Sequence, residues 1–430
     1  MIFFSTRQVI YTSLVMALSV MGDSMLYAVL PSMLGEFGMT AGLAAGVILS
    51  TNRWIRMFSN SWAAKIYNKF GLKRPLMISL ILALFSTASY GLFDGFWPLF
   101  VARIGWGICF SIQMVSMYMV ILKENSDHRG MHMGVFNGVF RSGSAVAVLM
   151  GGILAESLGI KNAFLFTSSF VIICIPLVLL LRDHGEKRDN EQRDLTSIKR
   201  NGVTEGQETV TFKDRIWGFL LGSFSINSNL RLKILSIFFV HFTKRFLASG
   251  VTTATIGLIV KDQMTEPFSL GVLTIGAASL TGIILAMSWG SEVGFSAIFG
   301  FVSDKFGRKL MISISVPVIV LCTIIINVNL LVLLLAVPLL FAATTAAKVT
   351  LDASAGDLAP IGHQPEIMAR YSTWGDVGSA VGPLLGYGLL TYFSIFVVYS
   401  FSALLLILAF LFYIVIFWND RLNENEIIRV

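Results

Sequence analysis

The sequence predicts an all-α polytopic membrane protein, with twelve transmembrane helices in two six-helix pseudo-repeats around a central cavity. Three observations carry that prediction. The 430 residues are 55% hydrophobic and only 13% charged, against ~25% charged in a typical soluble domain, and mean hydropathy is +0.76. The basic residues fall on alternate connections between the apolar segments. Two separate stretches of sequence recur after nearly the same interval.

Each observation fixes a different part of the architecture. A spanning helix needs ~20 apolar residues, so twelve occupy ~240 and leave ample chain for the connections. The apolar runs place the spans at about 9–34, 42–66, 75–95, 97–122, 133–157, 160–181, 232–259, 269–299, 309–328, 330–357, 371–393 and 394–418. The first run is too long for a signal-peptide core, contains Asp23 and lacks a cleavage pattern, so it reads as a spanning helix. Cys109, Cys174 and Cys322 all fall in apolar stretches, with no disulfide framework or metal spacing among them.

The net charge of +7 is explained by topology rather than by nucleic acid. One side of the membrane receives Arg7, the Lys69/Lys73/Arg74 loop, Lys123/Arg129, ten bases from Arg182 to Lys233, Lys305/Arg308/Lys309, Arg370 and Arg421/Arg429. The opposite side receives only Lys161 and Lys261. This positive-inside asymmetry places both termini and the long middle loop in the cytoplasm. The absence of an Asn-x-Ser/Thr acceptor fits a bacterial cytoplasmic (inner) membrane. The expected units are an N-terminal bundle (1–181), a cytoplasmic linker (182–231), a C-terminal bundle (232–418) and a cytoplasmic tail (419–430). The linker mixes charges of both signs without an apolar period, as flexible linkers do. Its amphiphilic end, residues 214–230, is expected to lie on the bilayer surface.

The halves repeat. Asn68-Lys69-Phe70-Gly71-Leu72-Lys73-Arg74 follows span 2, and Asp304-Lys305-Phe306-Gly307-Arg308-Lys309 follows span 8, 236 residues later. Gly143-Ser144-Ala145-Val146 in span 5 aligns with Gly378-Ser379-Ala380-Val381 in span 11, an offset of 235. Gly71 and Gly307 permit a tight turn between antiparallel helices. Asp304 is a candidate latch that accepts hydrogen bonds from a neighbouring helix N-terminus and holds the two halves in one state. Gly378, Gly382 and Gly386 recur every fourth residue, a face suited to close helix packing.

The run from Gly300 to Lys309 (GFVSDKFGRK) resembles the loop signature of the major facilitator superfamily. Arg103-Ile104-Gly105-Trp106-Gly107 is similar to that family's span-4 arginine motif, and Gly382-Pro383-Leu384-Leu385-Gly386 to its glycine–proline element. The first loop copy departs from the pattern, with Asn68 where the family usually has Asp. Span 5 likewise has Ala147-Val148 where drug antiporters usually have Gly-Pro, so the glycine–proline element sits in the second half. The resemblance implies a conformational latch over Asn68, Lys69, Gly71, Gly300, Asp304, Gly307 and Arg308. Its acids in spans 1, 10 and 11 look like those of the twelve-helix drug:proton antiporters.

Ionisable residues at bilayer depth cost ~2.5–3.5 kcal/mol each, so they demand partners or a function. The acids are Asp23, Glu292, Asp352 and Asp376, all proton-coupling candidates, with Asp23 and Asp376 leading. The bases are Arg53, Arg56, Arg103, Arg141, Lys244, Arg245 and Lys348. With Tyr27 and His241, all of these bases except Arg245 are substrate-cavity candidates. Arg53, Arg56 and Asn60 form one stripe on span 2, within expected reach of Asp23. Lys348 and Asp352 stand at i, i+4 and are expected to pair. Lys244 and Arg245 project about 100° apart, so one of them is expected to be structural. Burial favours the protonated carboxylate and a neighbouring cation favours the ionised one, which leaves Asp23 open between proton carrier and permanent ion pair.

Together these features predict a monomeric secondary transporter that exports a small organic or amphiphilic molecule by alternating access. The proton gradient would be its energy source, with no cofactor and no metal. An organic-anion carrier using the buried bases is the alternative, and a non-transporting receptor or lipid scramblase on the same fold a second one. No phosphate-binding glycine loop and no nucleophile–base set is visible, which argues against an ATPase or another enzyme.

Overall fold

The computed structural model describes residues 2–40, 42–122, 129–181, 228–264, 266–270, 273–359 and 364–427. Most of the expected linker, including residues 214–227 of the amphiphilic stretch, lies outside the described residues.

Among the described residues nine helices are long and apolar enough to cross a membrane. The described residues nevertheless form twelve spans, because three more are hidden from that criterion. The helix Arg129–Leu180 holds spans 5 and 6, joined at Gly159 with φ 81° and ψ 158°. Spans 2 (Gly42–Phe70) and 11 (Gln364–Leu390) are too polar to qualify. Span 1 is Ile2–Ser19 continued by Met21–Val29, span 3 is Lys73–Leu92, and span 4 is Phe96–Leu122. In the second half, span 7 runs from Ser228 to Gln263 through a π-helical turn at Phe246–Thr252. Spans 8 (Ala277–Phe306), 9 (Arg308–Ile325), 10 (Leu330–Leu358) and 12 (Ile395–Ile427) complete it.

Several boundaries differ from the sequence reading. Span 1 begins at Ile2 rather than 9, span 11 begins at Gln364 rather than 371, and span 8 ends at Phe306 rather than 299. The span-12 helix runs on to Ile427, through most of the expected tail. Span 8 starts at Ala277 rather than 269, because Phe268–Leu270 and Leu273–Ile275 pair as an antiparallel hairpin. Pro267 before the pair and Gly276 after it punctuate the chain and separate the hairpin from the helix. The two repeated loops do turn at positive φ, 76° at Gly71 and 92° at Gly307.

Large apolar side chains such as Ile81, Phe85, Val101, Ile172, Leu335 and Leu411 stay exposed on the outer faces. A water-soluble monomer does not present such a surface, whereas hydrocarbon accepts it at no cost. Small residues let the helices approach. Gly143 and Gly151 of span 5 pack on Ala17 and Met25 of span 1. Their repeat counterparts are Gly378 and Gly386 of span 11. Gly378 packs on Phe242 and Phe246 of span 7 and Gly386 faces its Val251 and Thr255, with Gly382 between them against Phe246 and Gly250. The two halves share one packing plan.

Contact between the halves concentrates at the end opposite the termini. There Gly46 of span 2 meets Pro383 and Tyr387 of span 11, and Pro31 meets Gly257. Gly152 and Val148 of span 5 abut Ala278 and Gly282 of span 8, where a Cβ on either glycine would collide with backbone. A polar tie closes the same end. The Glu156 carboxylate of span 5 accepts hydrogen bonds from the backbone N–H groups of Gly276 (2.8 Å), Ala278 (2.8 Å) and Ser279 (3.2 Å), and from the Ser279 hydroxyl. A carboxylate of one half thus caps the positive end of a helix in the other.

Candidate functional site

A cavity of about 190 Å³ lies between the halves. Spans 1, 2, 4 and 5 wall it on one side and spans 7, 8 and 10 on the other. Six bases line it (Arg53, Arg56, Arg141, Lys244, Arg245 and Lys348) against two acids, Asp23 and Glu292. Tyr27, Phe110, Phe140 and Trp289 supply aromatic surface between them.

Asp23 is held by a residue other than the span-2 stripe that the sequence suggested. Arg103 of span 4 forms an ion pair with its Oδ1, and Asn52 Nδ2 donates to Oδ2 at 3.3 Å. Arg103 also donates to the Tyr27 hydroxyl (3.1 Å) and to the Ile48 carbonyl (3.0 Å). It is fully buried and stitches spans 1, 2 and 4 together from behind the cavity, outside the lining. Arg53 donates instead to the Ser379 carbonyl across the halves, and Arg56 lies over the Phe110 ring with Cζ 3.9 Å from its centroid.

Glu292 is the acid with partners in both halves. Arg141 Nε of span 5 stands 3.2 Å from its Oε2, and Lys348 Nζ of span 10 stands 2.7 Å from the same oxygen. The expected intrahelical pair is therefore not made: Lys348 turns to Glu292, and Asp352 accepts the Tyr371 hydroxyl at 2.7 Å. Asp376 pairs with Arg245 at 3.4 Å, within the second half and behind the lining. His241 also lies behind the wall, buried, with its ring centroid 3.8 Å from that of Tyr371.

Lys244 and Arg245 both line the cavity, against the expectation that one would face away. Long side chains can curve towards a common space from adjacent positions, and the wider π-helical turn begins at the very next residue, Phe246. Lys244 is buried and, among the described residues, forms neither a hydrogen bond nor an ion pair.

The loop residues lie far from the cavity. Asp304 reaches Arg308 at 3.7 Å, and Arg308 bridges to Asp357 at the end of span 10 at 2.6 Å. In this state the candidate latch is fastened within the second half. Lys69 sits over Phe70 (5.2 Å) as Lys305 sits over Phe306 (5.5 Å). Gly300 faces Val349 of span 10 at ordinary contact distance, and the side chain of Asn68 is outside the described residues.

Sequence reasoning passed over Asn52, Trp289 and Glu156. Asn52 and Trp289 carry no charge to flag them. Glu156 sits near a span end, where an acid is unremarkable until its partner helix is known.

Comparisons with known proteins agree with this architecture. The family model of the Major Facilitator Superfamily matches residues 12–291 and 245–428. The chain is 25% identical over 288 residues to the class H tetracycline resistance protein of Pasteurella multocida, covering 66% of this chain and 68% of that one. It is 22% identical over 310 residues to the class B tetracycline resistance protein of Escherichia coli (69% and 71%). It is 21% identical over 290 residues to the multidrug resistance protein MdtG of Proteus mirabilis strain HI4320 (66% and 64%). In fold it is similar to a POT family transporter crystallised with 5-aminolevulinic acid, with a TM-score of 0.73 at 13% identity over 95% of both chains. The nucleoside transporter NupG is similar as well, with a TM-score of 0.70 at 11% identity over 96% of this chain and 100% of that one. The chain belongs to the Major Facilitator Superfamily and is an integral membrane transporter.

Proposed function

We infer that this transporter exports a small organic molecule in exchange for protons, with Glu292 as the carboxylate that couples the two movements. Relatives named for tetracycline and multidrug resistance support export of a drug-like compound. The carrying observation is the placement of Glu292 on the cavity wall, between Arg141 of one half and Lys348 of the other.

Protonating Glu292 removes the charge that holds those two cations together, and they then repel each other in a site shielded from water. The tie across the halves is released by the same event that loads the proton. Losing the proton restores the tie and leaves the cavity ready for substrate. Asp23 lacks this property, because its Arg103 partner lies in the same half and moves with it. The bilayer is the bacterial cytoplasmic membrane, with both termini inside, so the cavity in this state opens towards the cytoplasm.

Proteoliposomes with an acidic interior and tetracycline in the outer buffer test the assignment. An imposed pH gradient is expected to drive its accumulation in wild type. Glu292→Gln is expected to lose that response while keeping tetracycline exchange down its own gradient. Gradient-driven accumulation by Glu292→Gln would move the coupling to Asp376 or Asp23.

A further inference from the structure

We propose that the cavity recognises an organic anion, a carboxylate or an acid of similar charge on an aromatic body, through Lys244 and Arg56. This rests on the transport reading above and names the substrate class for it.

The argument is one of uncompensated charge. Of the six bases on the wall, Arg141 and Lys348 share Glu292, and Arg245 has Asp376 behind it. Arg53 is bound to a backbone carbonyl. Two are left. Lys244 is 3% exposed, lines the cavity, and has no hydrogen-bonding or ionic partner among the described residues. Arg56 lines it from the opposite half, stacked on Phe110, and its buried Nε also lacks a hydrogen-bond partner. An unpaired buried cation is strongly unfavourable unless something neutralises it. Counting Asp352 and Asp376 as neighbours of the wall still leaves the bases in excess.

An anion that enters from solution supplies the missing charge, and one that touches both Lys244 and Arg56 bridges the two halves. The ring surface comes from Phe110, Phe140 and Trp289, which stack on a flat apolar body. A cationic drug would meet like charge at every free position and pay the full repulsion.

Titration calorimetry on the full-length protein in detergent tests this with three probes of one shape: 2-naphthoate, neutral 2-naphthamide and 2-naphthylmethylammonium. Naphthoate is expected to bind about tenfold or more tightly than the amide, and the ammonium to bind weakest. Lys244→Gln and Arg56→Gln are each expected to weaken naphthoate about tenfold while leaving the amide within about threefold, and Lys244→Arg to keep most of the affinity. Should a glutamine variant fail to fold, the wild-type order of the three probes still decides. Ammonium binding as tight as naphthoate, or naphthoate affinity unchanged in both folded glutamine variants, overturns the proposal. Counterflow in proteoliposomes separates this from the export reading. Naphthoate that binds as expected but is not exchanged sinks export and leaves the anion site. Exchange of the ammonium without naphthoate binding keeps export and sinks the anion site.

Discussion

Arg141 and Glu292 meet across the boundary between the two halves, Nε to Oε2 at 3.2 Å, and the internal repeat makes this contact one member of a symmetric pair. Glu292 stands 236 residues after Arg56, and Asp376 stands 235 residues after Arg141. The repeat therefore maps the pair Arg141–Glu292 onto Asp376–Arg56. That second pair is open: Asp376 lies 3.4 Å from Arg245, and Arg56 stacks on Phe110 instead. One tie closed and its counterpart open is the asymmetry a two-half transporter shows on one side of its cycle.

Reversing the closed tie tests whether it acts as an ion pair. If the proposed export of a tetracycline-like compound holds, Arg141→Glu and Glu292→Arg are each expected to lower tetracycline exchange about tenfold or more, and the double reversal to recover most of it. The measurement is exchange in proteoliposomes. A double variant no better than either single variant would assign the two residues separate roles.

Glu156 holds the opposite end shut with four accepted hydrogen bonds. Hydrogen bonds to a charged group contribute about 1.5–3 kcal/mol each, so Glu156→Ala is expected to shift the population towards the state open at that end. Spin-label distances between the halves read the shift directly. An unchanged distance distribution would reduce the tie to a local helix cap.

Asp23 is expected to matter for stability in a way that Glu292 does not. Asp23→Ala leaves the fully buried Arg103 without its counter-charge, a loss of about 3–5 kcal/mol for a broken buried pair. The expected signature is a lower melting temperature, partly restored by adding Arg103→Leu. A melting point equal to wild type for Asp23→Ala would show that Arg103 finds another partner.

Topology is testable through the linker. A cysteine introduced at Ser197 is expected to react with an impermeant maleimide only after the cells are permeabilised. Cys109, Cys174 and Cys322 are all buried, so the background is low. Labelling of intact cells would invert the orientation.

Composition and pattern along the chain are enough to specify the class of molecule and its repeat. Hydropathy implies helices wherever ~20 apolar residues run together, because an unpaired backbone group is too costly in lipid. Gly71 and Gly307 were legible as turns, since their left-handed φ is open chiefly to glycine. The list of buried charges was equally plain, for any ionisable residue inside an apolar run stands out. The partners of those charges belong to the tertiary structure. Asp23 and Arg103 are 80 residues apart, and Lys348 chooses Glu292 56 residues away over Asp352 on its own helix. Helical periodicity says which residues share a face, but not which helix that face meets, and an ion pair forms over a few ångströms of space whatever the separation along the chain. The same limit hid Glu156, whose role exists only because span 8 of the other half begins beside it. It hid as well the isolation of Lys244, which is a property of everything packed around that ammonium group.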